Sequence, residues 1–101
     1  MYVLYTTTYP LKSTLDAAKK FIEAAKNPPP DYINQIGVYV AYGGKGIKGY
    51  ALFEIEKGRE DEGIKEIAKR LTIYYDVEGY EITSDVVLSA EEAIPLLGLE
   101  M

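Results

Sequence analysis

The side chains best placed for chemistry are carboxylates and phenols on segments that read as strands. In Lys48–Glu56, residues two apart share a side, so Glu54 lies beside Leu52 and Tyr50. A carboxyl in apolar company holds its proton to higher pH, which makes Glu54 the first candidate for acid or base work. Glu56, Glu81 and Asp85 are further strand carboxylates able to pair with it or to hold a hard cation. The plainer reading of the same four is a solvated edge, or an ion pair from Glu54 to Lys48 or Arg70. Tyr74-Tyr75 closes the second helical segment. One of these rings continues a buried stripe and the other, Tyr75, is the candidate to face a cleft.

Absences narrow the chemistry further. The chain has no histidine and no cysteine. It therefore has no imidazole base, no Ser-His or Cys-His arrangement and no thiolate or imidazole for zinc or haem. No cofactor and no metal are expected. Sixteen acidic residues against eleven basic ones give a net charge of −5, which works against binding to a phosphate backbone. Gly43-Gly44-Lys45-Gly46 lacks the spacing and the Lys-Ser/Thr ending of a phosphate loop and reads as a hairpin turn. MYVLYTTTYP has no basic start followed by an apolar run, and no apolar stretch nears the ~20 residues of a membrane helix. A cytoplasmic protein with no membrane partner is expected. Abundant Lys, Glu, Ile and Tyr, with few amides, lean towards a thermophilic source.

The elements that must carry these residues follow from pattern. At 101 residues, 48% apolar and 27% charged, the chain reads as one globular domain, 1–101. Tyr2 to Tyr9 is rich in Tyr, Val and Thr, stops at Pro10 and predicts a first strand. Ser13, with Asp16 three residues on, predicts a capping box. Leu15, Ala18, Ile22 and Ala25 predict the buried stripe of the helix that follows, and Asn27 with Pro28-Pro29-Pro30 ends it. Ile36–Tyr42 and Ile47–Glu56 predict a hairpin. Glu60–Tyr75 predicts a second helix with Ile64, Ile67, Ala68 and Leu71 inward. Tyr80–Leu88 predicts a fourth strand. Ser89-Ala90-Glu91-Glu92 opens a short last helix that Pro95 kinks or ends.

This order implies an α+β, ferredoxin-like βαββαβ fold. Its four-stranded antiparallel sheet would carry two helices on one face, with a short C-terminal helix after the last strand. Ile47, Gly49, Ala51, Phe53 and Ile55 suit the covered face, as do Ile36, Val38, Val40 and Tyr42. Tyr39, Tyr50 and Leu52 then fall on the other face, with more apolar surface than water favours. A second copy stacked on that face, the C-terminal Leu96, Leu97 and Leu99 folded over it, or a bound base would each cover it.

The order of elements, the short last helix and the half-apolar face resemble the dimeric α+β-barrel proteins. That resemblance covers nearly the whole chain in topology and implies a homodimer with a cleft between helices and sheet. Lys48-Gly49-Tyr50-Ala51-Leu52-Phe53-Glu54-Ile55 is similar to the octapeptide of the RNA-recognition motif, with Tyr2 a possible companion ring on strand one. Leu52 and Ile55 stand where that family has aromatics. The expected function is a non-enzymatic homodimeric module that is structural or binds an unidentified small molecule. Tyr39, Tyr50, Leu52, Glu54 and Tyr75 are its candidate ligand-binding residues. The alternatives are a cofactor-free enzyme using Tyr and Glu as acid and base, or an RNA-recognition-like domain, although nucleic acid is not the expected partner.

Overall fold

β-Branched and aromatic residues at alternating positions build four strands, and a computed structural model describes residues 1–100. The elements are β1 (Tyr2–Tyr9), α1 (Thr14–Ala25), β2 (Ile33–Gly43), β3 (Gly46–Ile55), α2 (Glu60–Leu71), β4 (Glu81–Val87) and α3 (Ala90–Ala93). Single 3-10 turns at Leu11–Ser13, Thr72–Tyr74 and Ile94–Leu97 lead into α1 and extend α2 and α3. The strands form one antiparallel sheet in the order β2-β3-β1-β4, and the class is α+β. No helix among the described residues is long and apolar enough to cross a membrane.

Register decides which side chains share a face. Val3, Tyr5, Thr7 and Tyr9 on β1 stand opposite Phe53, Ala51, Gly49 and Ile47 on β3. Val86, Ser84 and Ile82 on β4 join the same face. Val3, Tyr5, Ile33, Ile55 and Ile67 form the larger buried cluster there, so this face packs against α2. A second cluster of Ala17, Tyr74 and Val77 joins α1 to the turn after α2, and Leu71 packs against both clusters.

Several expectations need correction. β2 starts at Ile33, not Ile36, and carries a bulge between Gln35 and Gly37. Ile36 is the extra residue of that bulge and is exposed, so it does not belong to the Val38, Val40, Tyr42 face. Ser13 does not cap α1. Its hydroxyl donates to the Glu78 carbonyl oxygen at 2.6 Å, a buried tether between α1 and the approach to β4. The predicted α1 stripe also points outwards, with Leu15 65% and Ile22 61% exposed. Ala17 is the buried residue of α1, and Ala24 is half-buried.

The roll of α1 follows from its two ends. Ser13 holds the start, and the Arg70 guanidinium donates to the carbonyl oxygens of Asn27 and Pro28 beyond the finish. On α2 the expected stripe holds at Ile67 and Leu71. Ile64 and Ala68 are exposed, and Gly63 takes the close approach to Ile55 instead. Ser89 and Glu92 do form the capping box expected of them.

Candidate functional site

Small residues facing small residues leave a hollow. On α1 Ala17, Ala24 and Ala25 look towards the sheet, and on β3 Gly49 and Ala51 look back. Packed layers need large side chains opposite small ones to reach interior density. Here the gap stays open as a cavity of about 470 Å³, bounded by Tyr5, Phe53, Tyr74 and Tyr80, with Phe21, Val38 and Val40 on its more exposed side. That volume lies within the ~300–1,000 Å³ range of small-molecule pockets.

Aromatic packing shapes the wall. Tyr9, Tyr80 and Tyr74 form a column: the Tyr9 and Tyr80 rings stack at 5.5 Å, and the Tyr80 and Tyr74 rings at 4.8 Å. Tyr5 and Phe53 meet edge to face at 5.8 Å. Burial pushes the Tyr74 phenol up to about 12, aided by Tyr80 and Tyr9 beside it. Burial also raises Tyr5 and Tyr80, the latter against an opposing hydrogen bond with Thr7. These phenols are neutral at ordinary pH. Tyr5 and Tyr74 are only 5% and 9% exposed, and neither hydroxyl is hydrogen-bonded among the described residues. No buried side-chain polar atom there is both sealed from solvent and unpaired, so both hydroxyls keep some accessible surface, and both residues line the hollow.

Charge is nearly absent from the lining. Among the described residues Arg70 is its one ionisable group besides tyrosine, and its guanidinium is committed to Glu66 at 3.2 Å, to Pro28 at 3.0 Å and to Asn27. Arg70 therefore does not pair with Glu54, which lies on the opposite face of the sheet.

The opposite face gathers four of the five residues singled out from sequence. Tyr39 stands directly across from Tyr50, Leu4 across from Leu52, and Tyr2 across from Glu54. Tyr39 folds its ring over Gly37, where an added Cβ would meet the phenol oxygen at 2.6 Å. Glu54 interacts with the Tyr2 hydroxyl, and this carboxylate is the main reason that phenol is raised. Tyr75 does not join them. It is 76% exposed beyond the 3-10 turn, while its neighbour Tyr74 lines the cavity. The companion ring expected on β1, Tyr2, is on the same face as Tyr50 but two register rows away, with Leu4 and Leu52 between. Glu81 and Asp85 also lie on this face, across from Thr8 and Leu4. Leu96, Leu97 and Leu99 remain exposed. Among the described residues no group of three or more Asp or Glu is placed to hold a metal ion.

A cleft between helices and sheet was implied by the resemblance, but of the five candidate ligand-binding residues its lining includes Tyr50 alone. Its signal in the sequence is the pairing of an alanine-rich helix face with Gly49 and Ala51, together with Tyr5 and Tyr9, four apart and so on one face of β1.

No family model and no curated protein matches the chain. Among solved structures it is similar to one described as a de novo designed protein, Foldit4. The identity is 10%, 87% of this chain and 100% of that chain are covered, and the TM-score is 0.46.

Proposed function

We propose that this chain is a single ferredoxin-like domain that binds a small molecule between its helices and its sheet and works as a homodimer. The observation that carries the binding reading is the cavity of about 470 Å³, lined by two tyrosines, Tyr5 and Tyr74, that are largely buried and have no hydrogen-bond partner among the described residues. A hollow of that size in a close-packed interior forfeits contacts that a ligand restores. The strand order β2-β3-β1-β4, with one helix between β1 and β2 and another between β3 and β4, supports the ferredoxin-like assignment.

Exposed apolar surface supports the homodimer. On the β2–β3 hairpin, Val38, Val40 and Tyr42 on one face and Tyr39 on the other all meet solvent. The radius of gyration is 15.3 Å, against about 13 Å for a compact domain of this length. A second copy stacked on the Tyr39, Tyr50, Leu52 face would cover part of that surface.

The test of binding is a thermal-shift titration with neutral aromatic fragments, on the natural chain and on Ala24→Leu. A ligand that binds only the folded state raises Tm with concentration. The extra side chain of Ala24→Leu occupies the hollow and should abolish the rise. A rise that persists unchanged in this variant places binding elsewhere, and no rise with any fragment ends the proposal.

A further inference from the structure

We infer that the cavity selects a neutral, flat, largely apolar molecule carrying a hydrogen-bond acceptor such as a carbonyl, which the hydroxyls of Tyr5 and Tyr74 hold. This rests on the reading of the cavity as a binding site and goes on to name the ligand class. Three observations carry it.

The first is the absence of spare charge. A carboxylate or phosphate entering this space needs a cation to offset its lost hydration. Arg70, the only cation in the lining, already spends its guanidinium on Glu66 and on two main-chain carbonyls. Lys20, on the same helix as Ala17 and Ala24, pairs with Asp76 at 3.3 Å. No aspartate or glutamate lines the space either, so a cation finds no carboxylate partner there.

The second is ring geometry. Capture of a cation by aromatic residues needs ring faces turned to a common centre. Tyr9, Tyr80 and Tyr74 turn their faces to one another instead, within 9° of parallel. Tyr5 and Phe53 meet edge to face, at 85°. The column offers an apolar wall to a planar guest and no cage to an ammonium group.

The third is the pair of hydroxyls. Tyr5 and Tyr74 are more than nine-tenths buried, line the space and have no hydrogen-bond partner among the described residues. A site whose polar groups are left unpaired by one guest and satisfied by another favours the second. Phenols raised by burial keep their protons throughout the neutral range and so remain donors.

The experiment titrates the full chain with four probes built on one ring system: naphthalene, 2-acetylnaphthalene, 2-naphthoate and 2-naphthyltrimethylammonium. Binding is read by calorimetry or by probe fluorescence. The neutral ketone should bind at least about ten times more tightly than either ion. It should also bind about 2 to 10 times more tightly than naphthalene, the value of one hydrogen bond. Tyr5→Phe with Tyr74→Phe should erase the margin over naphthalene and leave naphthalene itself unchanged or improved, which separates a lost hydroxyl from a damaged fold. Equal or tighter binding of either ion overturns the ligand class, as does a ketone margin that survives both Phe substitutions. In both cases naphthalene binding would leave the cavity reading intact. A series in which none of the four probes binds overturns the cavity reading together with the ligand class.

Discussion

The rings of Tyr74 and Tyr80 stack 4.8 Å apart and within 8° of parallel, tying the turn that ends α2 to the residue that leads into β4. Tyr74 also packs with Ala17 and Val77 in the smaller buried cluster. One ring thus joins both helices and the edge of the sheet, and the residue lines the cavity. Removing the ring and removing the hydroxyl should have different consequences.

Tyr74→Ala should cost about 3 kcal/mol or more, the usual loss for deleting a buried aromatic ring. Tyr74→Phe should cost far less near neutral pH, because the hydroxyl has no protein partner to lose. The two variants diverge further at high pH. The Tyr74 phenol is pushed up to about 12 in the folded chain from an ordinary value of 10.0. A folded value above the unfolded one means that the stabilising contribution is fully present below about pH 10 and is lost as pH rises from there through about 12. The loss amounts to roughly 2 kcal/mol from this group, and Tyr5, Tyr9 and Tyr80 shift in the same direction. Urea midpoints measured between pH 8 and pH 12 should fall steeply for the natural chain and less steeply for Tyr74→Phe. Parallel curves would remove Tyr74 as a cause.

Gly63 lies inside α2, where alanine ordinarily improves a helix by about 1 kcal/mol. Here a Cβ would sit 2.5 Å from Cγ2 of Ile55, a fully buried side chain with no room to retreat. Gly63→Ala should therefore destabilise, by about 1–3 kcal/mol from overpacking. Ile55→Ala removes the atoms it meets, so the double variant should be less unstable than the two single losses added together. A double-mutant cycle with a coupling near zero would contradict the close approach.

Arg70 holds the chain just beyond α1 through Asn27 and Pro28, while pairing with Glu66 one turn before it on α2. Lysine has one compact head and cannot serve three acceptors spread around a planar fork. Arg70→Lys should lose most of what Arg70→Ala loses, about 1–3 kcal/mol. It should also raise hydrogen exchange at the C-terminal turn of α1. Exchange that stays at the natural rate in both variants would show that Arg70 does not restrain the helix.

The strands were largely legible because alternation has a period of two and the turns are marked by glycine and proline. β1 runs Tyr2–Tyr9 as expected, and the β2–β3 hairpin turns at Gly44-Lys45. The bulge at Ile36 was not legible, because one inserted residue leaves the apolar alternation on either side looking continuous. The roll of α1 was not legible for a different reason. Apolar residues cover about half its circumference, so Leu15-Ala18-Ile22 and Ala17-Phe21-Ala24 are both plausible stripes. Tethers at Ser13 and Arg70, residues 57 positions apart in the chain, choose between them. The cavity was hidden for the same reason, since it depends on which small residues the roll of α1 sets against Gly49 and Ala51. The open-face group of Tyr39, Tyr50, Leu52 and Glu54 was legible because strand register alone fixes it.

That open face supplies the last prediction. Leu52 is half-buried in a single chain, with Leu4 directly across from it and Tyr50 next on the same side of β3. Tyr39 is across from Tyr50 and 65% exposed. If two copies stack here, Leu52 lies near the centre of the contact, where truncation or charge is felt most. Leu52→Lys would bury an ammonium group without a partner, at a cost of several kcal/mol per copy. In the single chain the same lysine can run its stem over Leu4 and keep its head in water, so the fold should survive. The natural chain should show a dimer mass by light scattering at micromolar concentration, and Leu52→Lys should show a monomer mass with an unchanged far-ultraviolet circular dichroism spectrum. Lys48→Glu, at the margin of the same face, should leave the dimer in place, because exposed charges contribute little. A Leu52→Lys protein that stays dimeric would exclude this face as the interface. A natural chain that is monomeric at all concentrations would exclude the homodimer.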